Sequence, residues 1–156
     1  MSSDIQFLTH LCDNWEMPVE AADVSRLDAL LGESGRQPLN EANSEVAALA
    51  CKAVADLCRQ EANRQLFGSE ATVAAVAALL RQSLEQSQWA VATQSLRACS
   101  NLCFEHNENR QRLGAQGVGS QLARAAKEER LVMACAAVVA NLASENDEAM
   151  SWSLIL

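Results

Sequence analysis

Apolar residues recur at three- and four-residue steps along most of this chain, the period of helices with one buried face. Val91, Leu96, Cys99, Leu102 and Cys103 make one such face, with Gln94, Arg97, Asn101 and Glu105 on the opposite stripe. Val46, Leu49, Ala53, Val54 and Leu57 repeat the pattern against Glu45, Lys52, Asp56 and Gln60. Val132, Cys135, Val139 and Leu142 repeat it again against Met133, Ala137, Asn141 and Glu145. In each case the first set is expected inside and the second facing solvent. Further helices are predicted over 5–12, 21–31 (ended by Gly32), 72–83, 108–115 (stopping near Gly117) and 118–127. Residues 39–44 read as a loop, with Asn43 or Ser44 as the N-cap of the next helix.

Three of these segments resemble one another. Residues 50–65 (ACKAVADLCRQEANRQ), 96–111 (LRACSNLCFEHNENRQ) and 137–148 (AVVANLASENDE) place Asp56, Asn101 and Asn141 at equivalent positions, 45 and 40 residues apart. Three-helix solenoid repeats have spacings of about 40–47 residues. Asn63-Arg64-Gln65 recurs as Asn109-Arg110-Gln111. A short helix, a second helix and a long third helix per unit is the armadillo order. The sequence therefore predicts an all-α fold, a right-handed armadillo-repeat solenoid of about three repeats at 20–60, 61–106 and 107–144, with a further repeat starting at 145–150. Residues 1–19 form an N-terminal segment with room for one helix, and 151–156 an atypical apolar tail. Repeats bury their apolar faces only by stacking, so an end without a polar cap stays apolar. Trp152, Leu154, Ile155 and Leu156 offer no polar outer face. They read as the end of a truncated stack or as a tail folded back over it, and an uncapped end predicts self-association.

Charge narrows the partners. The chain carries 12 basic and 20 acidic residues, a net charge of −8. That balance argues against nucleic acid, whose phosphates need a basic face, and suits a basic protein partner. No apolar run approaches the roughly 18 residues of a membrane span. The six cysteines lie within helical patterns and no leader precedes them, so reduced thiols and a cytosolic setting are expected.

Bond-making chemistry finds little support. Cys99, Cys103 and His106 share one helix end, but structural zinc needs about four ligands, and only two histidines exist. A cysteine nucleophile needs a nearby histidine base; His10 lies at the far end of the chain and His106 at a helix-end turn. Gly114, Gly117 and Gly119 read as a helix stop rather than a phosphate cradle. No catalytic residue, metal or cofactor is expected.

The stripe of the long third helices is the candidate site. It comprises Lys52, Asp56, Gln94, Arg97, Asn101, Ala137 and Asn141. In such a solenoid these helices line a concave groove, where an Asn offers both a donor and an acceptor to an extended peptide. The same amides could instead bond neighbouring turns within the stack. Glu105, Glu108, Glu145, Asp147 and Glu148 form an acidic rim at the helix exits. It would attract a basic tail, or simply cap helices and aid solubility.

The run 97–110, RACSNLCFEHNENR, resembles a repeat of the small-GTPase GDP-dissociation stimulator family, in which an Asn-Leu-Cys core is followed by an aromatic and an acidic residue. Residues 140–148 look like that family's next repeat. The resemblance covers roughly 20–150 and implies a regulator of Rho- and Ras-type GTPases with polybasic, prenylated tails. Members act as guanine-nucleotide exchange factors and as escorts of the tail. It also implies a cytosolic protein, with association at mitochondria or the endoplasmic reticulum. The family's solenoid is longer, so exchange activity is expected only in a longer form. An ataxin-10-like armadillo adaptor is the alternative. A nuclear-import-type receptor would need a Trp four residues before each ladder position, where this chain has Lys52, Arg97 and Ala137.

Overall fold

The computed structural model describes residues 2–144. Among these residues there are nine α-helices and one 3₁₀ turn, and no strand. In order they are α1 (Ser3–Asp13), α2 (Ala21–Arg36), α3 (Ser44–Leu57), α4 (Glu61–Leu66), α5 (Glu70–Glu85), α6 (Trp89–Cys103), α7 (Asn107–Ala115), α8 (Val118–Ala125), the 3₁₀ turn Glu129–Leu131, and α9 (Val132–Ala143). The fold is all-α with packed helices. α1, α3, α6 and α9 lie side by side in one row, and α2, α5 and α8 pack behind α3, α6 and α9. The short α7 bridges α5, α6 and α8, and the short α4 touches α6.

The core runs between the two rows. Leu27, Leu31, Leu57, Leu79, Leu80, Leu96, Leu102 and Leu113 are essentially inaccessible. Small residues bring the inner row together: Ala47, Ala50, Cys51 and Ala53 on α3 are buried, as are Ala92, Ala98 and Cys99 on α6. α3 is flanked by α1, α2 and α6, so its C-terminal half is buried nearly all round. α1 thus belongs to the row.

The burial pattern departs from the periodic reading in places. Asp56, expected to face solvent, is buried, because α1 and α6 close over that end of α3. Val132, expected inside, is 44% exposed, while Leu131 just before it is fully buried; the 3₁₀ turn shifts the inward position by one residue. Val46, Leu49, Val139 and Leu142 are only partly buried against the core. Met133 is exposed, as its place in the pattern implied.

α2 does not end at Gly32 but continues through Gly35 to Arg36. A Cβ on Gly35 would lie 3.3 Å from Ala75 Cα, and the Gly35 carbonyl accepts a hydrogen bond from Gln82 Nε2 at 2.8 Å. That glycine allows α2 and α5 to approach closely rather than stopping the helix. Asn43 stands at the N-cap of α3, but its side chain makes no cap bond. It accepts from the Asn40 N–H at 2.8 Å and donates to Pro38 O at 3.0 Å, tying the turn that leads into α3. Of the three clustered glycines, Gly117 alone separates helices, at φ +71°; Gly114 lies in α7 and Gly119 in α8.

A helix leaves its last carbonyls without intrahelical donors, and the recurring Asn-Arg pair supplies them. Asn63 Nδ2 donates to Leu57 O at 3.0 Å, and Arg64 Nε to Cys58 O at 3.0 Å. One repeat later, Asn109 Nδ2 donates to Leu102 O at 2.8 Å and Arg110 Nε to Cys103 O at 3.1 Å. Asn109 also reaches back to Arg64 O at 2.8 Å, and Arg110 forward to Asn141 O at 2.9 Å. Each short helix therefore fastens the end of the long helix before it, and the second pair also links successive repeats. Asn109 is fully buried, with its Oδ1 pressed against Gly68.

A Cβ at Gly68 would fall 2.1 Å from Asn109 Oδ1 and 2.7 Å from Arg64 O. Gly68→Ala should destabilise the protein by about 3 kcal/mol through overpacking. Gly117→Ala, whose Cβ meets nothing nearer than 4.0 Å, should cost about 1 kcal/mol of left-handed backbone strain. Urea unfolding of both variants checks the order, and equal losses would show that the Asn109 clasp relaxes easily.

All six cysteines are free and buried. Burial pushes the thiols of Cys51, Cys58 and Cys103 from 9.0 up to about 12. Below pH 9 the folded and unfolded chains hold these protons equally. Above it the unfolded thiols ionise first, so stability should fall as pH rises from about 9 to about 12. Denaturation midpoints in reducing buffer across that range test this, and Cys51→Ala should flatten the decline.

Candidate functional site

The inner row brings the polar stripe together at the α3–α6 seam. Asp56 lies at its centre, with a side chain only 8% exposed. Lys52 Nζ donates to its Oδ2 at 2.7 Å, and Arg97 Nη2 to its Oδ1 at 3.0 Å. Arg97 Nη1 donates to Gln94 Oε1 at 2.7 Å. One buried carboxylate thus holds two cations, whose side chains remain 36% and 41% exposed. The hydrogen bond to Asp56 is the main reason the Lys52 pKa is raised. Cys12 of α1 flanks the cluster; burial raises its thiol pKa despite the opposing pull of Lys52.

The two ladder asparagines clasp the stack. Asn101 Nδ2 donates to Ala55 O at 2.7 Å. The Arg59 N–H, which would serve that carbonyl in a continuing helix, goes to Asp56 O at 3.3 Å instead. Asn141 Nδ2 donates to Ser100 O at 3.0 Å and Ser100 Oγ at 2.9 Å. Each amide reaches the residue just before the equivalent position in the preceding repeat. Of the two roles open to these residues, bonding within the stack takes the donor half of each side chain. The Asn101 Oδ1 accepts nothing from the described residues and is not among the buried unpaired atoms, so it remains open to an incoming N–H. Ala137 is exposed on α9 and brings no polar group.

The rim is described only in part. Glu105 and Glu108 are exposed at the exit of α6 and in the first turn of α7. Glu105 adopts φ 49°, and Glu108 pairs with Arg112. Glu145, Asp147, Glu148 and the apolar tail lie outside the described residues. Cys99 and Cys103 are core residues, and His106 caps α7, its Nδ1 accepting the Asn109 N–H at 3.3 Å. No group of three metal-ligand side chains converges among the described residues, and no described helix is long and apolar enough to cross a membrane.

The residues missed in the sequence are Asn63, Arg64, Asn109 and Arg110, which hold the site's helices in place. Their signal was the recurrence of Asn-Arg-Gln, visible before any role could be given to it. Asn101→Asp, which keeps the shape but removes the donor and sets a carboxylate against Ala55 O, should destabilise the protein by about 1–3 kcal/mol. Arg97→Ala removes a half-exposed partner, leaves Lys52 on Asp56, and should cost about 1 kcal/mol. Thermal unfolding of the two variants tests the ranking. A comparison with known protein families finds no match to this chain, and a comparison with characterised proteins finds none either.

Proposed function

We propose that this chain is an armadillo-type interaction module that binds Rho- or Ras-type small GTPases through their basic C-terminal tails. The observation that carries the reading is the line of half-exposed polar side chains along packed neighbouring helices: Lys52 on α3, Gln94, Arg97 and Asn101 on α6, and Asn141 on α9. A row of parallel helices offering polar groups at repeat spacing suits an extended segment laid across it. The motif at 97–110 resembles the GDP-dissociation stimulator family, and the net charge of −8 favours encounter with a basic tail.

The chemistry divides along the surface. Tail Lys and Arg residues belong at the exposed carboxylates of Glu105 and Glu108, not over Lys52 and Arg97. Binding, rather than exchange, is the activity assigned to this chain, with exchange and lipid handling left to a longer form.

The test is binding of the purified chain to a Rho-type GTPase and to the same GTPase with its tail Lys and Arg changed to Gln, at low and moderate salt. The expected result is a loss of about tenfold or more on neutralising the tail, shrinking as salt rises. Glu105→Gln with Glu108→Gln should reproduce part of that loss through slower association. Equal affinity for both tails would overturn the GTPase reading and favour an adaptor of another armadillo type.

A further inference from the structure

Lys52, Asp56 and Arg97 do not cancel. Two cations share one carboxylate, so the cluster carries one uncompensated positive charge in a protein whose net charge is −8. Among the described residues, Asp56 is the one acid within ion-pair distance of either cation. Its two oxygens are both engaged from within, and its side chain is almost wholly buried. Lys52 uses one ammonium N–H on Asp56, and Arg97 uses its two terminal nitrogens on Asp56 and Gln94. Lys52 also has the Cys12 thiol beside it, and the side chains of the two cations keep 36% and 41% of their surface exposed. Asp56 therefore acts as a buried anchor that fixes the two head groups, sparing an incoming anion the cost of ordering them. One helical turn after Arg97, the open Oδ1 of Asn101 can accept a backbone N–H.

We propose that this cluster is a seat for a carboxylate of the bound segment, so that the partner is an extended peptide pairing an acidic residue with its basic run. The proposal rests on the reading of this row as a peptide-binding surface and adds a second recognition element to it. The carboxylate lies against Lys52 and Arg97, and the backbone beside it donates to Asn101 Oδ1. The basic residues lie further along, toward Glu105 and Glu108. A segment with Lys and Arg alone leaves the seat empty and places like charges near it.

The probe is a fluorescein-labelled, C-terminally amidated peptide, Glu-Gly-Ala-Lys-Lys-Arg-Lys-Ala-Gly-Glu, compared with its counterpart carrying Gln for both Glu. Titration into the full chain should show the Glu peptide binding about five- to tenfold tighter, the scale of one charge-assisted contact. Asp56→Asn releases both head groups without changing shape and should narrow that ratio. The triple variant Lys52→Gln, Asp56→Asn, Arg97→Gln is neutral throughout, leaves no unpaired buried charge, and should bring the ratio to about one. Equal binding of the two peptides to the unmodified chain overturns the seat while leaving tail binding intact. A ratio that persists in the triple variant overturns it as well. Failure of both peptides to bind overturns the peptide-binding reading together with the seat. If inorganic phosphate abolishes the ratio where chloride of equal ionic strength does not, the site is a general anion site and the peptide carboxylate is the wrong ligand.

Discussion

The structure depends on how the long inner helices end. α3 and α6 stop inside the protein, where their last carbonyls cannot turn to water, and a buried unpaired carbonyl costs about 1–3 kcal/mol. Arg64, Asn63, Asn109 and Arg110 take those carbonyls from the short helices that follow, and Asn101 and Asn141 take one each from the next long helix. These bonds fix where each short helix starts and how far each long helix is offset from its neighbour. The apolar core drives the helices together without specifying an offset; the carbonyl clasps specify it. The positions of Lys52, Arg97 and Asn101 relative to one another are a consequence.

The same clasps bear on the recognition proposed above. Asn101 has a donor bonded within the stack and an acceptor that takes no bond from the described residues. Asn101 is held rigidly by its bond to Ala55 O, so its Oδ1 is presented at little further entropic cost. Asp56 plays the parallel part for charge. It is the equivalent position in the first of the recurring segments, yet it is buried where α1 packs on α3 and anchors two half-exposed cations. A position of the polar stripe can thus change role when another helix packs over it.

The helices and the repeat spacing are legible in the sequence because their signal is local: period, spacing and the recurrence of Asp56-Leu57-Cys58 as Asn101-Leu102-Cys103 and Asn141-Leu142-Ala143. α7 and α8 lie close to their expected spans for the same reason. What failed required knowing the neighbours. Gly32 reads as a stop by propensity, yet α2 runs on to Arg36, with Gly35 in its last turn giving Ala75 of α5 its close approach. Asp56 reads as solvent-facing by period, yet α1 covers it. The recurring Asn63-Arg64 and Asn109-Arg110 were visible as letters, but their task concerns carbonyls six or seven residues away and in other repeats. Stripe membership predicted which of the candidate residues gather. It did not reveal that the amide donors are already engaged, since that depends on an interhelical offset no single segment encodes.

The same offset argument bears on binding. An extended chain advances about 3.3–3.6 Å per residue, and packed helices stand about 8–10 Å apart, so one repeat step corresponds to about three residues of ligand. Specificity then comes from chemistry that differs between steps. In the reading proposed above two places differ: the cations held on a buried acid at α3–α6 and the exposed carboxylates at the exit of α6, whereas the exposed Val132 and Met133 begin α9 near Trp89, at the other end of the row. A ligand of uniform charge would match one step and oppose another. The segment we propose, an acid followed by bases, would meet the two in turn, and their separation is fixed because the inner helices are held in one register by their carbonyls.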